Sequence, residues 1–215
     1  MAQIFISHSA KDEQGISFFS KVFSTTNVKA IFEEYEKLTG ISINSNKIQE
    51  DINKSDCIFI LLNENIEQNK HTRDWVAWEC GYGSQNNKDV WVFEKQEDYK
   101  KITLVTPSLK HYVRYNPDDN WFHYIQTIIK SYDNSNVNKN TLLGTTIGGI
   151  ISDDEDKIAG LVLGAFLGNA LSKKNLKVIG EKIKCNYCLN SYIVHVPKFH
   201  PFRCPVCNKS LKFNS

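Results

Sequence analysis

The run Cys57-Ile58-Phe59-Ile60-Leu61-Leu62 has no polar residue in it. It is too short to span a membrane and too uniformly apolar to have a wet face. Such a run is a strand covered on both sides, the kind that a parallel sheet buries. Val90–Phe93 is a second run of the same type. Parallel neighbours need a long crossover, usually a helix, and Thr72–Gly83 lies between the two runs to supply it. In that helix Trp75 and Glu79 are four apart, so indole and carboxylate share a face one turn from each other. A carboxylate beside an aromatic wall is partly desolvated, and the wall offers a flat surface to a planar ring. The plainer alternative makes Trp75 and Trp78 core and Glu79 a surface charge.

The remaining pattern repeats this alternation. Ile4-Phe5-Ile6 is a first strand, followed by the loop Ser7–Asp12, with Asp12 placed to cap a helix carrying Ile16, Phe19, Val22 and Phe23. Val28–Phe32 is a second strand. A polar loop, Glu33 to Asn46, leads to a helix with Ile48 and Ile52 inward, which Ser45 or Asn46 can cap. Tyr112–Tyr115 reads as a fifth strand and Trp121–Tyr132 as a closing helix. The expected fold is a flavodoxin-like doubly wound parallel α/β sheet. In such sheets ligands bind beyond the carboxyl ends of the strands. Ser7, His8 and Ser9, the Glu33–Asn46 loop and the first turns of the Trp75 helix all fall at that edge, and the reading places Glu79 on those first turns.

Three segments are expected: a sheet domain over 1–135, a linker with a glycine-rich helical hairpin over 136–174, and a zinc ribbon over 175–215. Residues 1–135 carry a net charge of −4, whereas residues 172–215 carry +8. A charge-driven partner would therefore meet the tail. Met1 runs directly into the first strand without a signal-peptide pattern, so a cytoplasmic location is expected.

Of six cysteines, four cluster as Cys185-x-x-Cys188 and Cys204-x-x-Cys207, fifteen residues apart. Two such knuckles fit a closed tetrahedral four-thiolate site for structural Zn2+, with His195 and His200 not required as ligands. Metal would then supply the folding free energy of a ribbon too small to build its own core. Ribbons bind nucleic acid or protein. The basic charge favours phosphate contact, and the scarcity of aromatics among the lysines does not support sequence-specific readout. Gly160, Gly164 and Gly168 recur every fourth residue in 141–172, a spacing that lets helix backbones approach closely. The segment is read either as a self-packing helical hairpin or as a membrane-contacting one, since its apolar runs fall short of a span.

The first 132 residues resemble a Toll/interleukin-1 receptor (TIR) domain of the compact microbial kind. The likeness rests on Ile4-Phe5-Ile6-Ser7-His8-Ser9 with Lys11-Asp12, on Phe32, Gly40, Ile48 and Ser55-Asp56, and on Asp74-Trp75-Val76 with Glu79. His111–Tyr115 with Trp121 also resembles bacterial members. Two features depart from the family pattern: Glu33-Glu34 stand where Asp is common, and no proline precedes Gly40. The resemblance implies cleavage of NAD+ as substrate, with Glu79 catalytic, Trp75 in the pocket wall, and Ser7, His8 and Ser9 near the nucleotide. Tyr35 or Lys37 would reach in from the loop after the second strand; His8 is equally readable as an ordinary polar loop residue. The resemblance also implies activation by homo-oligomerisation, hydrolysis or cyclisation as the outcome, and a role in microbial signalling or antiviral defence. Many TIR domains are instead non-enzymatic adaptors, so a self-assembling scaffold that recruits a partner or nucleic acid through the ribbon is the alternative.

Overall fold

The computed structural model describes residues 1–32, 45–95, 109–133, 178–197, 202–207 and 209–211. Tyr35, Lys37 and the glycine-patterned 141–172 lie outside the described residues. The chain runs β1 (Gln3–Ser7), α1 (Glu13–Phe23), β2 (Lys29–Phe32), α2 (Ser45–Lys54), β3 (Cys57–Leu62), α3 (Glu64–Gln68), α4 (Lys70–Gln85), β4 (Asp89–Lys95), β5 (Leu109–Tyr115) and α5 (Asp119–Ser131). It continues with β6 (Val178–Lys184), β7 (Ser191–Pro197), β8 (Phe202–Arg203) and β9 (Ser210–Leu211).

Seven strands form one sheet in the order β2-β1-β3-β4-β5-β7-β6. All neighbours are parallel except the β6–β7 hairpin. The order of the first five strands is that of flavodoxin-like doubly wound sheets. Successive side chains of a strand point to opposite faces, and the core divides accordingly. Ile4, Ile6, Phe59, Phe93 and Val113 pack with Phe19 and Val22 of α1 and Ile125 and Ile129 of α5. Phe5, Ile58, Ile60, Val92 and Tyr112 pack on the other side with Ile48 and Ile52 of α2, Ile66 of α3, and Val76 and Cys80 of α4. β3 is buried at every position, as an uninterrupted apolar run between two helical layers must be.

Local chemistry sets the helix ends. The Asp12 carboxylate accepts from Gly15 N at 3.0 Å, the capping bond expected for α1. A Cβ at position 15 would fall 2.2 Å from that carboxylate, so this cap requires glycine. α2 is described from Ser45 onward, so Ser45 and Asn46 are both helical, and the residues before them lie outside the described residues. α4 starts two residues before Thr72 because the Asn69 side chain accepts from the backbone N–H groups of His71 and Thr72. Apolar spacing does not register that cap. Its consequence is that Glu79 is not on the first turns of the helix but in its third. Ser7 closes β1 and is not a loop residue. The five-residue α3, capped by Asn63, is too short for periodicity to reveal.

The cysteine-bearing tail is joined to the sheet. β7 pairs in parallel with β5, Tyr112 opposite Val194, and β6 adds outside it. Cys185, Tyr192, Val194 and Cys204 belong to the same apolar cluster as Val76 and Ile58. The ribbon expected from spacing alone therefore shares a core with the sheet, and among the described residues only β8 and β9 pair apart from it. Among the described residues no helix is long and apolar enough to cross a membrane.

Candidate functional site

Two sites arise from this frame: the carboxyl edge of the sheet beneath α4, and the cysteine cluster beside β7. On α4 the side chains facing the sheet are Thr72, Val76, Glu79, Cys80 and Gly83, all buried. A Cβ on Gly83 would stand 2.1 Å from Ile58 Cδ1, which fixes that turn over Ile58 and its register partner Val90. With about 1.5 Å of rise per helical residue and about 3.3 Å per strand residue, Glu79 stands about level with Ile60 and Val92. By the same count Trp75 stands about level with Leu62 and Glu94, at the edge itself.

Glu79 is wholly buried. Burial first, and the adjacent Glu79 carboxylate second, push the Cys80 thiol well up, so Cys80 is a poor nucleophile. Trp75 is half-buried, and its Nε1 donates to His71 Nε2 at 3.2 Å. Its ring meets Trp78 edge-on at 5.3 Å, and Trp78 stacks on Tyr82 at 5.6 Å. This aromatic row runs along the flank of α4 next to its sheet-facing side, and Asn53 of α2 anchors its far end by donating to the Tyr82 hydroxyl at 2.9 Å.

Ser7, His8 and Ser9 sit at the end of β1, one strand over from β3, and all three are buried. His8 Nδ1 lies 3.2 Å from the Ile6 carbonyl, and its ring meets Phe32 edge-on. The fold thus brings Ser7, His8, Ser9 and Trp75 to the carboxyl end of the sheet, but not to one face of it: the His8 ring packs on Phe32, which belongs to the cluster under α1 and α5, whereas Trp75 and Glu79 lie on the α4 side. Tyr35 and Lys37 fall outside the described residues.

Sequence reasoning passed over two groups at this edge. Glu94 and Arg114 are register partners on β4 and β5, and alternation turns both toward α4, the side of Val92 and Tyr112. Burial pushes the Glu94 carboxyl up to about 7, with the Arg114 guanidinium opposing the shift. The period-two pattern of the two strands was the signal that could have found them.

The four cysteines converge. Cys185 Sγ lies 3.6 Å from Cys207 Sγ, and Cys188 Sγ 3.8 Å from Cys204 Sγ. All four ligand atoms fall within 4.8 Å of one another. A tetrahedral centre with bonds of about 2.3 Å to sulfur sets neighbouring sulfurs about 3.8 Å apart, so these residues fit a four-thiolate metal site. The knuckle is pre-shaped: Cys185 N donates to Asn190 O, Leu189 N returns to Cys185 O, and Tyr187 N points at Cys185 Sγ from 3.4 Å. His195, four residues past Ser191 on β7, is no ligand. It is buried against β5, where its Nδ1 meets the Tyr124 hydroxyl.

No protein-family model matches the chain, and no curated protein matches it.

Proposed function

We propose that the chain is a TIR-type NAD+-cleaving enzyme, releasing nicotinamide and ADP-ribose or its cyclic form, with Glu79 as the catalytic carboxylate. The observation that carries this reading is the buried Glu79 on the sheet-facing side of α4, with the Trp75–Trp78–Tyr82 row along the adjoining flank of the same helix, near the carboxyl end of a doubly wound sheet.

The chemistry asks little of the protein. Nicotinamide in NAD+ is a pyridinium and leaves its ribose as a neutral molecule, so no acid need protonate it. An ordinary glycosidase needs both a general acid and a second carboxylate around an oxocarbenium-like transition state. Here one carboxylate suffices: Glu79 holds the ribose hydroxyls and stabilises positive charge that develops only in the transition state. Trp75 offers the nicotinamide or adenine ring a stacking face. Ser7, His8 and Ser9 border the nucleotide from β1, and Tyr35 or Lys37 would approach from the loop after β2. Self-association of the domain completes the site in this reading, and the glycine-patterned segment 141–172 supplies contacts between copies, alone or at a membrane surface.

The four cysteines would hold a structural Zn2+. Four protein ligands leave no open position, so the ion supplies folding free energy and no Lewis-acid step.

A second reading, a non-enzymatic scaffold that recruits a partner through the tail, is favoured by one observation. Apart from Met1, the large hydrophobic side chains exposed among the described residues are Tyr187 and Leu189, at 64% and 67%, both on the first cysteine knuckle. Lys182 and Lys184 on β6 are exposed beside them, and a protein or nucleic-acid surface would engage this corner.

Turnover of NAD+ by concentrated purified protein, beside Glu79→Gln, separates the two readings. NAD+ loss that vanishes in the variant supports the enzyme, and chromatography of the product distinguishes hydrolysis from cyclisation. Absence of turnover even in artificially clustered protein transfers the assignment to the scaffold.

A further inference from the structure

Arg114 and Glu94 form an unusual pair for two side chains so far from water. Their exposures are only 14% and 15%, yet the approach is Arg114 Nε to Glu94 Oε2 at 3.8 Å, too long for a hydrogen bond. Arg114 Nε is buried and makes no hydrogen bond among the described residues. An ion pair that serves stability in a buried place is ordinarily a short, bidentate fork, because loose contact does not repay the desolvation of two charges. The carboxyl is also pushed up to about 7 by its burial, so near neutrality it cancels only part of the guanidinium charge. What remains is a partly uncompensated cation, planar and rich in donors, on the α4 side of β5 at the sheet's carboxyl edge.

Among the described residues Arg114 makes no ion pair other than the long one with Glu94. The β3 register partner of Glu94 is the apolar Leu62. Lys95, next along β4, turns to the opposite face and donates to Gln14 of α1. The first turns of α4 carry Lys70, His71, Arg73 and Asp74, with Glu79 deeper in the helix, and α3 adds Glu64.

We propose that Arg114 is an anion-binding residue, steadied by Glu94, and that it takes a phosphate of the dinucleotide. The nucleotide part rests on the NAD+ reading above; the anion site itself does not. Guanidinium suits the task because its fork matches two phosphate oxygens at once. Glu79 would then meet the ribose deeper under α4, while Arg114 holds the charged linker at the rim.

Calorimetric titration of the full-length chain at pH 8 tests this with three probes: ADP-ribose, adenosine and sulfate. Arg114→Gln is expected to weaken ADP-ribose and sulfate about tenfold or more and to leave adenosine unchanged. Glu94→Gln, which keeps shape but removes the competing carboxylate, is expected to strengthen both anions. That gain does not follow from a merely structural pair, and it keeps the test open if Arg114→Gln fails to fold. Unchanged anion affinity in both folded variants would overturn the proposal. Sulfate binding that depends on Arg114 without any nucleotide binding would retain the anion site and remove the nucleotide assignment, whatever the outcome of the NAD+ turnover assay.

Discussion

His111 on β5 and His195 on β7 face each other across the seam between the sheet and its C-terminal hairpin, with Nδ1 and Nε2 3.2 Å apart. Trp91 stacks on the His111 ring at 3.7 Å and donates from Nε1 to the Tyr132 hydroxyl at 2.7 Å. Tyr124 meets the far nitrogen of His195. The hairpin is thus joined to the sheet by β-ladder bonds and by a buried polar chain through neutral imidazoles, since two charged rings could not share this space.

Acid should break that seam. Burial lowers His195 to about 3, and burial first and His195 second lower His111 well below its usual value. Below about 6.5 the unfolded chain binds protons that the folded chain refuses, so stability falls as pH drops through that window. Each histidine contributes a slope of up to about 1.4 kcal/mol per pH unit. Glu94 opposes one of them, because its raised pKa of about 7 makes the folded state the better proton binder between about 4.5 and 7. The net expectation is a loss of up to about 1.4 kcal/mol per unit between pH 6.5 and 5, and a shallower slope in His195→Gln. Urea midpoints across that range check it; stability that is flat or rises on acidification would refute it.

Metal removal should reach beyond the tail. Cys185 and Cys204 share an apolar cluster with Ile58, Val76 and Val92, so the cysteine corner is one wall of the sheet's own core. A metal at a thousandfold its Kd stabilises by about 4 kcal/mol, which for a chain of this size is about 8–16 °C in Tm. Chelation is expected to lower the melting of the whole sheet by that order and to alter Trp91 fluorescence. A melting curve that splits, with the sheet transition unmoved, would show instead that the corner folds independently.

Gly83 is where α4 touches β3: an added Cβ meets Ile58 Cδ1 at 2.1 Å, so the buried end of the Ile58 side chain has to swing aside to admit a methyl group. Gly83→Ala gains helix propensity of about 1 kcal/mol but forces Ile58 or the helix aside, an overpacking cost of about 1–3 kcal/mol. The expected result is net destabilisation, larger for Gly83→Val, and relieved when Gly83→Ala is combined with Ile58→Val. Additive effects in that double mutant would argue against a direct clash.

Trp75→Ala and Trp75→Phe divide packing from recognition on α4. Trp75 is half-buried, so truncation to Ala removes aromatic contact with Trp78 as well as any stacking face, whereas Phe retains most of both. In the enzymatic reading Trp75→Ala is expected to raise the KM for NAD+ about tenfold or more, corresponding to a stacking contribution on the order of 1–3 kcal/mol per base, with Phe recovering most of it. Equal kinetics in folded Trp75→Ala would remove Trp75 from the pocket.

The elements were legible from the chain because their causes are local. The β3 run of Cys57–Leu62 is a strand through hydrophobicity alone, the Asp12 cap acts over three residues, and each C-x-x-C knuckle is a short-range chelate. The four-residue spacing of Trp75 and Glu79 put them near one face of α4, but did not show that Glu79 would be wholly buried while Trp75 is half-buried. What spacing could not reach was the length of α4, set by the Asn69 side chain, and hence the depth of Glu79 within the helix.

Non-local pairing was decided only in three dimensions. Tyr112 and Val194 are ladder partners across 82 residues, and no periodicity links them, because a strand's pattern shows that it is buried but not against what. The pairings Glu94–Arg114 and His111–His195 follow from register, and register is a property of two strands at once. Local chemistry along the chain was enough to specify a parallel α/β sheet and a cluster of four cysteines. The tertiary structure decided that this corner completes the sheet's core, since only packing shows which apolar surfaces cover one another.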